Sequence, residues 1–138
     1  MNWQGNILPA PWFQHPLLRH ESGRVNLPAA IILSDVIYWY RPQEIREEAT
    51  GKIIEYRRKF RADKLQKSYR AWAEQFGMTK RQVKDAVAFL RLRGLVATEF
   101  RHVTTESGLA LSNVLFIEPV LSRITELNTI NLANGEEE

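Results

Sequence analysis

The sequence contains no cysteine. This absence excludes thiol catalysis, disulfide bonds and cysteine-based zinc or iron–sulfur sites, and it favours a cytoplasmic protein. No apolar run approaches the roughly 18 residues that a membrane-spanning helix needs. The N-terminal residues include prolines and polar groups where a signal peptide has an apolar stretch. We therefore expect a cytoplasmic protein that makes no membrane contact.

Residues that carry enzymatic chemistry are few or scattered. The three histidines, His15, His20 and His102, have no metal-ligand spacing. There is no glycine-rich phosphate loop and no serine, histidine and aspartate set at strand ends. Carboxylates cluster at 47–48 and 136–138, in segments with weak structural signals. We therefore expect no metal, no cofactor and no enzymatic activity, and we interpret the chain as a binding module.

The 138 residues have the length and composition of one globular domain, with 44% hydrophobic and 25% charged residues. The formal net charge is only +3, but it is unevenly distributed. Residues 52–93 hold thirteen lysines and arginines against four acids, whereas the rest of the chain is net acidic. This basic segment predicts a polyanionic partner, because concentrated positive potential attracts phosphates.

The first half of the chain predicts an arm, one helix and a charged segment. Three prolines in residues 1–25 predict an irregular arm that can pack on a surface but cannot sustain a helix. Asn26 is a suitable N-cap for an apolar helix that runs to Tyr40, where an arginine–proline pair ends it. Residues 43–64 contain a turn signal and strand-like alternation, so a hairpin and an irregular charged excursion are both open. Asp35, inside the apolar helix, is interpreted as an outward or capped group.

Residues 68–94 carry the strongest signal, that of two short helices joined by a tight turn. Gly77 supplies the left-handed residue that stops the first helix, and Thr79 with Gln82 forms a capping box at the start of the second. Each helix has one apolar face at the i, i+3, i+4, i+7 spacing. These faces consist of Tyr69, Trp72, Ala73 and Phe76 in the first helix and of Val83, Ala86, Val87 and Leu90 in the second.

Two strand-like runs, 95–103 and 109–117, follow as a hairpin in which Gly108 needs a positive φ. Pro119 suits the first turn of a last helix that extends to residue 131. Together these elements predict a mainly α fold with a small β-hairpin, a winged helix-turn-helix with extra N- and C-terminal helices. The predicted parts are an arm at 1–25, a domain at 26–131 with its helix-turn-helix at 68–94 and its wing at 95–118, and a disordered acidic tail at 132–138.

The stretch SYRAWAEQFGMTKRQVKDAVAFLRLRGLV, residues 68–96, resembles the winged helix-turn-helix of bacterial and phage DNA-binding proteins. HPLL at 15–18, AAIILSDVIYWY at 29–40 and KSYRAW at 67–72 are similar to the N-terminal domains of phage and plasmid replication initiators or replisome organisers. The basic insertion at 43–64 departs from that pattern, which leaves its path and role in doubt. The resemblance implies a fold that binds double-stranded DNA.

The face of the second helix opposite its apolar stripe is the expected groove contact. Arg81 can donate two bonds to guanine and Gln82 can pair with adenine, whereas Lys80 is better placed for phosphate. Asp85 can pair with Arg81 or accept a bond from cytosine. The full predicted DNA-contacting set is Thr79, Lys80, Arg81, Gln82, Lys84, Asp85, Ala88 and Arg91 on this helix, Arg57, Arg58 and Lys67 in the basic segment, and Arg101, His102 and Thr104 in the wing.

The leading functional hypothesis is a sequence-specific double-stranded DNA-binding protein in replication initiation of a phage, plasmid or other mobile element, with replication proteins as possible partners. A transcriptional repressor of the same fold is the second hypothesis. A winged-helix protein-interaction module that does not bind DNA is the third. The apolar helix 27–40 and the last helix 119–131 lie outside the helix-turn-helix, and they suggest a homodimer interface.

Overall fold

The computed structural model describes residues 5–129, in which helices and two small antiparallel sheets share the chain. Helices account for 40% and strands for 26% of these described residues, so the fold is a mixture of α and β. The expectation of a mainly α fold is therefore wrong. It fails because the sheets contain more than the expected wing: a second hairpin and a short strand far from the wing in sequence also belong to them.

The N-terminal segment packs into the core with two short 3₁₀ helices, Ala10–Gln14 and Pro16–Leu18. Trp12 and Leu18 are buried there. The Trp12 indole Nε1 donates a 3.0 Å hydrogen bond to Oδ1 of Asn128, near the other end of the described chain. The predicted arm thus contributes two large side chains to the same core as the helices.

Helix α1, Leu27–Tyr40, is the central element of the core. Its N-cap is Asn26, as predicted, and Oδ1 of that residue accepts a 3.1 Å bond from the amide of Ala29. Seven of its residues are buried, and they lie on more than one side of the helix. The single chain therefore covers most of the apolar surface of α1.

The segment after α1 forms a hairpin, which decides between the two alternatives left open by the sequence. Strand β1, Gln43–Arg46, pairs antiparallel with strand β2, Ile53–Arg57, and the register shifts at Ile45 and Arg46. All of β2 is exposed. The hairpin therefore projects from the body of the protein instead of adding to its core.

The two helices of the helix-turn-helix are α2, Tyr69–Phe76, and α3, Lys80–Leu92. Gly77 adopts the left-handed conformation at φ +66°, as the prediction of a stop required. The capping box is formed: the Thr79 hydroxyl accepts from the Gln82 amide at 3.0 Å, and the Gln82 side-chain oxygen accepts from the Thr79 amide at 2.9 Å. Local sequence therefore determines where α2 ends and where α3 begins.

A three-stranded sheet in the order β3-β5-β4 closes the other side of the core. It consists of β3, Leu65–Gln66, β4, Val96–Thr104, and β5, Ala110–Pro119, with Gly108 at the predicted positive φ in the turn. The Tyr40 hydroxyl joins α1 to this sheet, because it donates to the carbonyl of Ile117 at 2.6 Å and accepts from the amide of Leu65 at 2.9 Å.

The last described helix, α4, is shorter than expected and spans Leu121–Leu127. Pro119 ends β5 instead of beginning the helix. Residues 130–131 of the predicted helix and the predicted acidic tail at 132–138 lie outside the described residues. Across residues 5–129, no helix has the length and apolar character needed to cross a membrane.

Candidate nucleic-acid interface

Helix α3 has one face in the core and one face in solvent. Its buried stripe is the predicted one, Val83, Ala86, Val87 and Leu90. The opposite side carries exposed Lys80, Arg81, Lys84, Asp85 and Arg91, with Ala88 half-buried between them. Eight of the predicted DNA-contacting residues, counting Thr79 as its N-cap, therefore belong to one helix whose outer side no other described element covers.

Four cations on this outer face have no acidic partner within residues 5–129. Lys80, Arg81, Lys84 and Arg91 make neither a salt bridge nor a side-chain hydrogen bond there. Asp85 lies one turn from Arg81, but the surface pair that was one of its two predicted roles is absent from the salt bridges within residues 5–129. The positive charge on this side of α3 is therefore available to a ligand.

An open cleft of about 550 Å³ lies between the start of α2 and the outer face of α3. It is lined by Tyr69, Lys80, Arg81, Lys84 and Asp85. Tyr69 is half-buried, and the sequence assigned it only to the apolar face of α2. Its position as the first residue of that helix is the signal that could have identified it, because a side chain at a helix end can reach beyond the core.

Two other predicted contacts on α3, Gln82 and Thr79, already use their side-chain oxygens in hydrogen bonds within the chain. The Gln82 side-chain oxygen is occupied by the capping box, so the paired donor and acceptor that adenine readout needs are not both available. The Thr79 hydroxyl accepts the other bond of the box. Of the predicted base contacts Arg81 and Gln82, only Arg81 has a side chain without a hydrogen-bond partner within residues 5–129.

Arg57 and Arg58, in and after strand β2, bind groups within their own hairpin and the loop that follows it. The Arg57 guanidinium makes two hydrogen bonds to the Glu55 carboxylate, at 3.1 and 3.0 Å. Arg58 donates to the carbonyl of Ala62 at 2.7 Å and lies 5.0 Å from the centre of the Phe60 ring. Both side chains are exposed, yet they are already partnered within the chain.

Lys67 forms an ion pair with a buried residue. Its ammonium is 2.6 Å from Oδ2 of Asp35, and the two side chains are only 12% and 2% exposed. The Trp72 indole donates to the same carboxylate at 2.8 Å, and Asn6 and Gln75 also donate to it. Lys67 is thus a partner of a buried acid, and we withdraw it from the candidate DNA contacts.

The same contacts correct the interpretation of Asp35 as an outward or capped group. Its side chain points into the interface between α1 and α2, where it accepts four hydrogen bonds. Burial raises the pKa of Asp35, but the hydrogen bonds from Lys67, Trp72 and Asn6 outweigh it and hold the pKa below its usual value. The carboxylate is therefore ionised and joins the helix-turn-helix to α1.

Arg101, in strand β4, belongs to an ion-pair network at the base of the wing. Its guanidinium contacts Asp63 at 2.7 Å and Glu99 at 2.8 Å, and Lys64 contacts Glu99 at 3.0 Å and Glu118 at 3.2 Å. The hydrogen bonds from Arg101 lower the pKa of both carboxyl groups to about 2. This network connects the basic insertion to the wing.

His102 and Thr104 are the remaining predicted wing contacts, and both are exposed on β4. The predicted set is thereby divided: the cations of α3 have no acidic partner within residues 5–129, whereas Arg57, Arg58, Lys67 and Arg101 are engaged within the chain. In the described part of the chain, no group of three or more histidine and acidic side chains could hold a metal ion.

Comparisons with protein-family models, with curated proteins and with solved structures find no match to this chain.

Proposed function

We propose that this protein binds double-stranded DNA, with the outer face of α3 in the major groove. The observation that carries the proposal is the set of four exposed cations on this face, Lys80, Arg81, Lys84 and Arg91, none of which has an acidic partner in residues 5–129. Like charges that lie close together on a protein surface repel each other, and a bound polyanion removes this repulsion. An α-helix presented in this way also fits the width of the major groove.

The mechanism divides these cations by what they contact. Lys80 and Lys84 line the cleft with Tyr69, where a backbone phosphate is the natural ligand for two ammonium groups and a phenol. Arg81 is the base reader, because a guanidinium can donate two bonds to the O6 and N7 atoms of guanine. Asp85 is exposed beside it and disfavours phosphate at that point, which leaves it to accept from a cytosine amino group.

The biological setting that we propose is replication initiation of a phage, plasmid or other mobile element, in the cytoplasm and without enzymatic activity. Its support is the resemblance of residues 15–18, 29–40 and 67–72 to replication initiators. A transcriptional repressor of the same winged-helix fold would use the same α3 face. The two are separated by footprinting: protection at a replication origin supports the first, and protection at a promoter alone supports the second.

Salt titration of duplex binding tests the proposal. We expect fluorescence anisotropy with a labelled random duplex to give a log affinity that falls linearly with log salt, by about 0.9 per phosphate contact. The double variant Lys80→Ala with Lys84→Ala should weaken binding to every duplex and flatten the slope by nearly two units.

The matched control is Lys52→Ala with Arg61→Ala, which removes the same charge from exposed cations that lie off α3. We expect this control to retain the wild-type slope to within about half a unit. If both double variants weaken binding equally, only net charge matters and α3 is not the contact. If wild-type protein shows no salt-sensitive binding at all, the third hypothesis, a protein-interaction module, replaces the proposal.

A further inference from the structure

Within residues 5–129, the β1–β2 hairpin leaves both of its outer strand edges unpaired, and β2 exposes three large apolar side chains, Ile53, Ile54 and Tyr56. All of β2 is exposed, with Ile54 at 62% and Tyr56 at 60%. Within residues 5–129, β2 pairs with β1 alone, so its second edge has no strand beside it. A two-stranded hairpin is marginally stable by itself, and an open strand edge is a template for pairing with another chain.

We propose that this edge pairs antiparallel with β2 of a second copy of the chain, which makes a four-stranded sheet across a two-fold axis. This interface is independent of the α3 face and of whether that face binds DNA. It also differs from a dimer through α1, whose apolar surface is used by the core of one chain.

Symmetry restricts the possible registers. A two-fold axis normal to the sheet maps each residue onto the same residue of the second copy, with both side chains on the same face of the sheet. Residues directly opposite each other in an antiparallel pair also have their side chains on the same face. Because faces alternate along a strand, the axis must pass through a residue and not between two residues. Within the centre of β2, the axis can therefore pass through Ile54, Glu55 or Tyr56.

Charge selects among these three registers. An axis at Glu55 places that carboxylate opposite the same carboxylate of the second copy, which is destabilising. An axis at Ile54 places Glu55 opposite Ile53 and forms no charge pair. With the axis at Tyr56, Glu55 of each copy lies opposite Arg57 of the other copy, and the two Tyr56 side chains lie opposite each other. Both charge pairs are then favourable, so this register is self-complementary.

The side chains of β2 already have the arrangement that this register requires. Glu55 and Arg57 lie two residues apart on one face and are hydrogen-bonded to each other at 3.0 and 3.1 Å. When the two strands pair, the Glu55 and Arg57 side chains of the second copy lie beside those of the first. Each Glu55 carboxylate then lies between its own Arg57 guanidinium and that of the other copy. A five-residue strand gives an interface below the standard size, and we expect a weak dimer with a dissociation constant on the order of 10–100 μM.

Single cysteines test the register cleanly, because the chain has none of its own. Facing residues in an antiparallel pair have Cα atoms about 4.5–5.5 Å apart, within reach of a disulfide. We expect the full chain with Tyr56→Cys to form disulfide dimers under mild oxidation at least tenfold faster than Thr50→Cys, a control in the exposed turn. Ile54→Cys should stay at the control rate, because its mate lies about 14 Å away along the strands.

Two outcomes of the oxidation overturn the proposal. Equal rates for all three variants would mean that the dimers form by collision, without strand pairing. Fastest cross-linking of Ile54→Cys would place the axis at that residue and contradict the self-complementary register.

Charge exchange tests the same interface without a covalent bond. Glu55→Arg places arginines opposite each other and should raise the dimer dissociation constant at least tenfold in sedimentation equilibrium. Adding Arg57→Glu to it exchanges the two charges and should restore dimerisation. Wild-type protein that stays monomeric at 500 μM overturns the proposal. A Glu55→Arg variant that dimerises as well as wild type also overturns the proposal. Tighter duplex binding by that variant would show that the hairpin faces DNA instead.

Discussion

Two groups of cations on this protein have opposite surroundings. On the outer face of α3, Lys80, Arg81 and Lys84 are exposed and lack acidic partners among the described residues. Near the sheet, Lys67 and Arg101 are joined to carboxylates at 2.6–2.8 Å. A count of charge along the sequence does not distinguish the two groups. Only the first group can bind phosphates, and so release the counterions of a nucleic acid, without losing an ion pair within residues 5–129.

The comparison also explains why the paired cations are paired. Lys67 and Asp35 are nearly buried, and a buried charge is tolerated only with a partner and further hydrogen bonds. Each cation of α3 lies in water and is tolerated there without an acidic partner, although the four cations together repel one another. Burial therefore explains the pairing of Lys67, whereas exposed Arg57 and Arg58 are partnered by groups close to them in the chain. The four predictions below test this division, from the largest expected effect to the smallest.

Asp35→Ala should lower the free energy of unfolding by about 3–5 kcal/mol, because it leaves the buried Lys67 ammonium and the Trp72 indole without their acceptor. Urea denaturation at pH 7 measures this. Adding Lys67→Met should recover part of the loss, since the unpaired charge is then removed. A loss below about 1 kcal/mol in the single variant would show that this ion pair does not maintain the fold.

Arg81→Ala should cost about 1–3 kcal/mol of binding free energy on the preferred duplex and much less on random duplex, because it removes a base contact. Competition binding with both duplexes measures the discrimination. Because Arg81 lies outside the core, the urea midpoint should stay unchanged. Unchanged discrimination in a folded variant would mean that α3 does not read bases.

Arg101→Met should leave the salt slope of duplex binding within about half a unit of wild type, whereas Lys80→Ala should flatten it by about 0.9. The difference is expected because Arg101 is already bound to Asp63 and Glu99, and Lys80 has no such partners in residues 5–129. Anisotropy titrations at a series of salt concentrations measure both slopes. Equal flattening in the two variants would remove the distinction between paired and free cations.

Two carboxyl groups of the wing network, those of Asp63 and Glu99, should titrate far below their usual range. Arg101 lowers the pKa of Asp63 and of Glu99 to about 2, from ordinary values of 3.8 and 4.5. Because the folded pKa is depressed, the stabilising contribution of the network is complete above about pH 4.5 and is lost as the pH falls toward 2. Carboxyl ¹³C chemical shifts followed from pH 6 to pH 1.5 measure the midpoints.

Arg101→Met is the control for this titration. It should return the Asp63 midpoint to about 4 and raise the Glu99 midpoint by less, because Lys64 still donates a hydrogen bond to Glu99. Wild-type midpoints near 4 would show that the guanidinium does not hold these two carboxylates in solution.

The sequence by itself determined the elements that depend on neighbours in the chain. The Asn26 cap, the Gly77 stop and the Thr79–Gln82 capping box involve groups within about one helical turn, so residue type and spacing suffice to predict them. The apolar stripes of α2 and α3 follow from helical periodicity in the same way. That periodicity also places the cations of α3 on the outer face of the helix, and these cations form the main part of the candidate site.

Tertiary structure alone decided which charges are free and how the strands combine. Lys67 meets Asp35 across 32 residues, and Arg101 meets Asp63 across 38. Strand β3 joins β5 from a distant part of the chain, which is one reason why the mainly α prediction failed. Periodicity describes only a local face, whereas the partner of a charge or a strand edge depends on which distant segments the folded core brings together.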